Sequence, residues 1–513
     1  MKKISTALIS VYHKEGLDDI LEVLHRHGCR FISTGGTARY IENSGYEVTE
    51  TTPLTGYPSI LGGRVKTLHP AVFGGILARR DSPDDMDTLR QYGIPPVDLV
   101  IVDLYPFENT VAQAASHDDI IEKIDIGGIS LIRAAAKNYR DVVCISHSGQ
   151  YASFAELLQA NNGQTPLSYR KELAREAFAV SSYYDTVISR YFSGLLPEAE
   201  PVFREAYSKR RKLRYGENPH QQGYFFGDLN GIFEQLHGKE LSYNNLLDVD
   251  AAVRLIEDFD TSAPVFGIFK HNNACGLSVR DTVEEAYLAA LEADPVSAFG
   301  GVLITNYPVD IPAAKAMDSL FFEILIAPDF EPGAMEILTR KKKRILLRKK
   351  RPLRDSGTPA YSYRSVLNGV LYQETDNVTD SISMLKTVTE KSPATAEIND
   401  MLFASVIAKH SKSNAMVLAK DRRMIAAGVG QTSRVDALKQ AIDKARHFGL
   451  DMQGAVLASD AFLPFADSAE IAYHAGIRAI IQPGGSIRDR ETIAYCNAHG
   501  MAMVFTGHRH FKH

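Results

Sequence analysis

The sequence predicts an α/β protein: a doubly wound layer of strands and helices, followed by a larger α/β region. Three observations lead there. Short β-rich apolar runs alternate with stretches that carry apolar residues at helical spacing. The run at 97–103, Val-Asp-Leu-Val-Ile-Val-Asp, is nearly continuous in apolar residues, as a strand covered by helices on both faces must be. A Gly/Pro break at 194–201, Gly-Leu-Leu-Pro-Glu-Ala-Glu-Pro, ends the first alternating region.

The elements follow in order. Residues 4–11 form a β-rich run, and Leu17, Ile20, Leu21 and Leu24 then recur at helical spacing until Gly28 closes the helix. A second strand is expected at 29–33. The apolar strand at 97–103 comes next, then a helix at 129–138, a strand at 141–146 and a long helix at 171–192. The break at 194–201 places the main boundary, giving domains 1–198 and 199–513. The second part is long for one domain and holds a faint echo. Phe269 to Asn273 and Lys409 to Asn414 each follow an apolar run, and Ser297-Ala298-Phe299-Gly300 resembles Ser459-Asp460-Ala461-Phe462. The echo is read as two related α/β subdomains split near 356–380, with chance similarity an equally open reading.

Composition removes several classes. The chain has 513 residues, 45% hydrophobic and 23% charged, which is ordinary globular usage and excludes a disordered, collagen-like or membrane-bundle chain. No apolar run approaches the ~18 residues that span a bilayer. Ser5, Thr6 and Ser10 interrupt the apolar N-terminal run, which reads as a buried strand and not a signal peptide. The four cysteines are far apart without a CxxC pair, so a reducing compartment is expected, and the protein is read as cytoplasmic. Net charge is −5, yet 340–354 holds ten Lys/Arg and no acid. That run lacks interleaved aromatics and is read as a solvated helix and loop, with no nucleic acid and no membrane as partner.

Several motifs carry chemistry. Ser33-Thr34-Gly35-Gly36-Thr37-Ala38 lies between a strand and a helix, where backbone N–H groups can cradle an anion; taken alone, such a loop is more often a plain strand-to-helix turn. Gly62 to Pro70, Gly-Gly-Arg-Val-Lys-Thr-Leu-His-Pro, gathers Arg64, Lys66 and Thr67 on a Gly-rich loop, a set suited to gripping phosphate or carboxylate. Tyr105 follows the 97–103 strand, at the strand end where open α/β sheets bind ligands. Asp125-Ile126-Gly127-Gly128 and Lys137 add a carboxylate and a cation for acid–base work. In the second part, Lys270-His271 ends an apolar strand; His can take a proton near neutrality and Lys can steady an oxyanion, although such a pair alone is usually surface or packing. Asn414, Arg434 and Asp467 sit in Gly- or Pro-bounded loops. The spacing His508-x-His510-x-x-His513 lacks a partner acid or Cys, and no metal is expected.

Together these motifs resemble the bifunctional purine biosynthesis family, in which AICAR transformylase is joined to IMP cyclohydrolase. The resemblance runs from Ala7 to His513. It rests on the motifs at 33–38 and 62–70, Leu-Tyr-Pro-Phe at 104–107 and Arg-Tyr-Gly-Glu-Asn-Pro-His-Gln at 214–221. Lys-His-Asn-Asn at 270–273, Asp-Pro-Val-Ser-Ala-Phe-Gly-Gly at 294–301 and Arg-His-Phe-Lys-His at 509–513 complete it. It implies a methylglyoxal-synthase-like first domain and a transformylase of two cytidine-deaminase-like subdomains without zinc. It also implies a homodimer with transformylase sites at the subunit interface. The implied reactions are formyl transfer from 10-formyltetrahydrofolate to AICAR, giving FAICAR, and ring closure of FAICAR to IMP with loss of water.

By that resemblance His271 is the base and Lys270 assists the folate or the oxyanion. Lys66, Tyr105, Asp125 and Lys137 match the cyclisation site. Ser10, Lys14, Ser33, Thr34, Gly36, Thr37, Arg64, Thr67, Ile126 and Gly127 match nucleotide binding in the first domain. Arg214, Tyr215, Glu323, Asn414, Arg434 and Arg509 do so in the second, with Gly300, Phe462, Asp467 and Ser486 on the folate side. The chain departs from the family pattern at Ala274, where Pro is usual, and at Tyr12-His13, where Ser-Asp is usual. A nucleotide-responsive binding protein without turnover and a cyclohydrolase-only enzyme are the competing readings.

Overall fold

A computed structural model describes every residue except 197, 199, 260, 261, 354 and 356–360. Residue 199, at the expected domain boundary, and 356–360, at the start of the expected subdomain split, therefore lie outside the described residues. The chain forms two compact units, Met1–Ser208 and Lys209–His513.

The first unit is built on five strands: β1 (Thr6–Ser10), β2 (Arg30–Ser33), β3 (Val48–Glu50), β4 (Leu99–Val102) and β5 (Val143–Ile145). They pair in the order β3-β2-β1-β4-β5, all parallel. The two-residue period of a strand sorts their side chains. Ala7, Ile9, Phe31, Leu99 and Ile101 enter the core shared with α1 (Leu17–Arg26). Leu8, Ile32, Val100 and Val102 enter a second core with α3 (Pro70–Leu77) and α4 (Gly127–Lys137). Both faces are covered, which is why the 97–103 run has so few polar positions. Helix α2 (Gly35–Asn43) follows β2, and α5 (Leu167–Leu195) is the long helix before the Gly/Pro break.

The second unit is built on one twelve-stranded sheet. Its strands are β6 (Phe233–His237), β7 (Val265–Lys270), β8 (Asn273–Val279), β9 (Val302–Thr305), β10 (Ile324–Ala327), β11 (Ile345–Lys349), β12 (Lys386–Thr387), β13 (Met416–Lys420), β14 (Arg423–Gly428), β15 (Val456–Ser459), β16 (Ala479–Gln482) and β17 (Ala502–Phe505). The order β6-β11-β10-β9-β7-β8-β14-β13-β15-β16-β17-β12 reads the same pattern outward from its centre. In each half an antiparallel hairpin (β7/β8, β13/β14) is followed by one antiparallel strand (β9, β15) and two parallel ones. Both hairpins turn on two consecutive left-handed residues, His271 and Asn272 at φ 51° and 66°, Asp421 and Arg422 at φ 53° and 48°. Both shift register at the second residue pair from the turn.

The unit is thus an internal repeat, and Lys270–Asn273 corresponds to Lys420–Arg423. The short matches noted in the sequence do not mark it. Lys409 and His410 end helix α8 (Thr395–His410), Ser297 lies in the short helix α7 (Pro295–Ala298) before β9, and Ser459 closes β15. Helix α6 (Tyr243–Glu257) opens the first half with a capping box between Ser242 and Asn245; α8 opens the second. Val249, Val253 and Ile256 of α6 share one core with Met401, Ala404 and Ile407 of α8. Each half also requires a glycine where a helix backbone closes on the sheet. A Cβ on Gly276 would stand 2.0 Å from the Ala290 carbonyl oxygen, and one on Gly428 1.8 Å from that of Ala437. Among the described residues no helix is long and apolar enough to cross a membrane.

The basic run corrects its own expectation: it is not a solvated helix and loop but contains strand β11. Arg344 is 1% exposed, donates to Asp318 Oδ1 at 2.8 Å and to the Asp318 and Leu320 carbonyls, and lies 4.4 Å from the Phe322 ring centroid. Arg348 donates to Glu234 at 2.6 Å, and Lys350 and Arg351 bond the carbonyls of Asn230 and Gly231. Arg354 lies outside the described residues. Truncating a buried, paired cation strands its partner. Arg344→Ala is therefore expected to lower stability by roughly 3 kcal/mol, read as a lower urea midpoint, whereas the exposed Lys342→Ala should leave that midpoint within about 0.5 kcal/mol.

Candidate active sites

In the first unit the chain runs from β1 to β3 on one side of the sheet and to β4 and β5 on the other. The switch lies between the carboxyl ends of β1 and β4, the place where such sheets open a crevice. Asp103 organises it. Its carboxylate accepts the backbone N–H groups of Tyr12 and His13 and lies 2.8 Å from His13 Nδ1. The two residues that depart from the family pattern are therefore anchored here. Lys14 Nζ donates to the carbonyls of Val11 and Tyr12, and burial lowers its pKa against the opposing pull of Asp103 and Glu15. Tyr12 meets Tyr105 edge to face at 5.4 Å, and the Lys123 ammonium lies 5.9 and 6.0 Å from the two ring centroids.

Asp125 stands at the N-terminus of α4. Its N–H donates to Tyr184 Oη at 2.7 Å, Tyr184 donates to the Lys123 carbonyl at 2.9 Å, and Asp125 Oδ1 accepts from Gly128 N–H at 2.6 Å. Gly128 is required, because a Cβ there would stand 2.6 Å from the Asp125 carboxylate. Burial raises the pKa of Asp125 in spite of backbone donors from Gly128, Ile129 and Tyr105. Burial and the Asp125 charge raise that of Tyr105. Thr67, buried, abuts Gly127: a Cβ on that glycine would meet its hydroxyl at 3.1 Å. The 62–70 loop is thereby carried to α4. Ile126 and Lys66 are exposed, and Arg64 is paired with Glu122. Ser33 donates to the Ile9 carbonyl at 2.7 Å and ties β2 to β1, while Thr37 exchanges bonds with Val11 and ties α2 to the residue after β1. Thr34 caps α2 with no side-chain hydrogen bond, Gly36 lies in its first turn, and Ser10 ends β1 half-exposed.

Lys137 is the residue that the fold does not bring to this cluster. It ends α4, eleven residues long and so about 15 Å from Gly127. The helix runs antiparallel to the strands it covers, and Asn138 beyond it caps the carbonyls of Ile76 and Ala78.

In the second unit Lys270 and His271 occupy the tight β7/β8 turn. The left-handed conformation at 271 and 272 is held by Asp248, whose Oδ1 accepts the Asn272 N–H at 2.6 Å, while Asn273 Nδ2 donates to the His271 carbonyl at 2.9 Å. Lys270 Nζ donates to the Phe299 carbonyl and lies 3.4 Å from where a Gly300 Cβ would be. Burial raises the pKa of Asp248, while His271 and Lys270 pull it down and Glu323 adds to the rise. Glu323 accepts from Asn245 at 2.9 Å. Arg214 lies over the Tyr215 ring in a loop tied to the start of α6, since Asn244 donates to the Glu217 carbonyl at 3.2 Å.

Across the seam of the two halves, Lys412 N–H reaches Asn273 Oδ1 at 3.4 Å. Asn414 Nδ2 bonds the Gln431 carbonyl at 2.9 Å, and Arg434 pairs with buried Asp460 at 3.4 Å. Arg509 and Arg434 flank the Phe511 ring. Phe462 lies on the loop after β15 and Ser486 on the loop after β16, whereas Asp467 and Arg434, expected in loops, are the first residues of the helices Asp467–His474 and Arg434–His447. Sequence reasoning missed Asp248, Asn245, Asp103 and Lys123. A Ser-x-x-Asn start at 242–245 and an acid closing an apolar strand were the available signals.

Asp125 is expected to titrate above the ordinary ~3.9 of a free Asp side chain, because burial outweighs its donors; carboxyl-carbon NMR of the selectively labelled chain measures it, and a midpoint at or below the free value contradicts the geometry.

Comparison with known proteins gives the family. Residues 135–444 match a family model described as the AICARFT/IMPCHase bienzyme, and residues 16–130 match one described as an MGS-like domain. The chain is 57% identical over 512 residues to the bifunctional purine biosynthesis protein PurH of Bacteroides thetaiotaomicron, covering 100% of this chain and 99% of that one. It is 47% identical to the PurH proteins of Persephonella marina and Aquifex aeolicus, covering 99% of this chain in each case and 99% and 100% of theirs. With two thirds of each chain well exceeded at such identity, this protein belongs to the AICARFT/IMPCHase bienzyme family.

Proposed function

We propose that this chain carries out the last two steps of IMP formation: formyl transfer from 10-formyltetrahydrofolate to AICAR, then dehydrative closure of FAICAR. The observation that carries the reading is an acid–base cluster in each unit, Asp125 with Tyr105 in the first and His271 with Lys270 and Asp248 in the second. In the second unit the AICAR amine is a weak nucleophile, its lone pair drawn into the imidazole. His271, pinned on a rigid turn by Asp248, takes its proton as the new C–N bond forms and the formyl carbon parts from the folate nitrogen. Lys270, beside the Gly300 backbone, steadies the oxyanion or the departing folate. Arg214, Tyr215, Glu323, Asn414, Arg434 and Arg509 are assigned to the nucleotide, and Gly300, Phe462, Asp467 and Ser486 to the folate side.

In the first unit the carboxamide nitrogen of FAICAR attacks the formyl carbon, and the resulting hydroxyl leaves as water. Asp125, whose raised pKa suits it to hold a proton, and Tyr105 are assigned the proton transfers. Lys66 keeps its assignment to the cyclisation step, while Lys14, Arg64 and the N–H groups of Gly36, Ile126 and Gly127 supply positive potential for the phosphate, with Ser10, Ser33, Thr34, Thr37 and Thr67 lining the approach. Lys137 keeps its assignment as a proton carrier, although its place at the far end of α4 separates it from Asp125 of the same unit. The reading includes a homodimer in the cytoplasm with no metal, nucleic acid or membrane in the reaction. The exposed Leu367, Val370 and Leu371 on the hairpin of Tyr361–Val366 and Gly369–Glu374 support self-association.

Purified protein given AICAR and 10-formyltetrahydrofolate is expected to make IMP. His271→Ala should lose formyl transfer by about 100-fold or more yet close supplied FAICAR at the parent rate. Tyr105→Phe should show the reverse. A protein that closes FAICAR but never formylates AICAR would establish the cyclohydrolase-only reading. Equal loss of both activities in either variant contradicts separate sites.

A further inference from the structure

The segment 506–513 threads through the residues assigned to the nucleotide in the second unit. Ser413 N–H donates to the Lys512 carbonyl at 2.9 Å, and Lys512 N–H donates to Ser413 Oγ at 3.1 Å, so the segment braces the neighbour of Asn414. Phe511 lies near two guanidinium groups, with Arg509 at 4.4 Å and Arg434 at 5.6 Å from its ring centroid. Placement of Arg509, Arg434 and Asn414 therefore depends on what holds this segment.

His510 holds it. The residue is 5% exposed, and its N–H donates to the carbonyl of Asp460, the residue that pairs with Arg434. Its ring is caught between two carboxylates. Nδ1 lies 2.7 Å from Asp376 Oδ2 and Nε2 lies 3.6 Å from Asp380 Oδ1. Both acids lie between the Gly369–Glu374 strand and β12, and Asp380 is further fixed by the Ser405 hydroxyl of α8. Only Nδ1 is within hydrogen-bond distance of its carboxylate, while Asp380 faces Nε2 as an ion-pair partner, and both acids favour the imidazolium. Burial opposes that charge, but Asp376 and Asp380 outweigh it and raise the pKa to about 9. Lys409, also buried, bonds Thr379 at 3.3 Å and Asp258 at 2.8 Å and adds a second positive charge beside these acids. With both nitrogens turned to carboxylates, His510 does not serve the metal spacing its neighbours His508 and His513 invite.

We propose that His510 is a positioning residue for the nucleotide end of the transformylase site, cross-linking the segment 508–513 to Asp376 and Asp380 so that Arg509, Arg434 and Asn414 converge. This role rests on the reading that those three residues contact the nucleotide. A cation that only neutralises two acids would leave the segment's order and AICAR binding unchanged when removed.

Full-length His510→Gln, Asp376→Asn and the double variant decide it. Three quantities are read: KM for AICAR against kcat, cyclisation of supplied FAICAR, and backbone hydrogen exchange at 508–513. Each single variant is expected to raise KM about tenfold, the size of one charge-assisted hydrogen bond, with kcat within about twofold. Exchange at 508–513 should accelerate and cyclisation stay unchanged. The double variant should be no worse than the worse single one, because both break the same link. Additive effects, unchanged exchange, or a joint fall of both activities with a lower melting temperature would overturn the role. If the parent protein does not turn over AICAR, the nucleotide reading falls instead, and the exchange rates still decide whether His510 pins the segment.

Discussion

The second unit depends on one seam. Strands β8 and β14 meet antiparallel at Ser278 and Arg423, and this contact joins two six-stranded halves into a single sheet. The seam is reinforced where Val279 N–H bonds the Arg422 carbonyl at 3.0 Å and Arg280 bonds that of Asp421 at 2.8 Å. Those acceptors belong to the left-handed β13/β14 turn, so the turn that repeats the Lys270–Asn273 geometry has become the fastener. One copy of the turn presents a His, and the other presents carbonyls to its neighbour. The approach of Lys412 to Asn273 on the first half's turn follows from this pairing.

The first unit reaches a comparable result by other means. Its crevice comes from the reversal of strand order between β1 and β4, and one half-buried carboxylate, Asp103, gathers the loop after β1 to the end of β4. Asp103 and Asp125 interact unfavourably, and the burial of Asp125 raises its pKa further. Cations on the rim, Lys14, Lys66, Arg64 and Lys123, offset that charge and favour a phosphorylated ligand. The bulk charge of −5 says nothing of this local balance.

Much of the fold was legible because burial writes itself into the sequence. The 97–103 run had to be apolar to be covered twice, and helix α1 shows its buried stripe at Leu17, Ile20, Leu21 and Leu24. The internal repeat was legible only as an unplaced echo. What repeats is a backbone conformation, and His-Asn and Asp-Arg share no side-chain signature for it. The basic run was misread because its partners, Glu234, Asp318 and the 230–231 carbonyls, are remote in sequence. The site motifs were legible as residue types, but their distances were not. Lys137 follows Asp125 closely along the chain, yet the rise of a helix separates them, while Asp248 joins His271 from 23 residues away.

Two independent sites in one chain is the central claim, and complementation between full-length variants tests it most directly. Asp125→Asn alone should accumulate FAICAR from AICAR and 10-formyltetrahydrofolate, and His271→Ala alone should make neither FAICAR nor IMP. An equimolar mixture should restore IMP, because FAICAR released by one variant is closed by the other. A mixture that makes no IMP, or an Asp125→Asn protein that forms no FAICAR, would contradict the account.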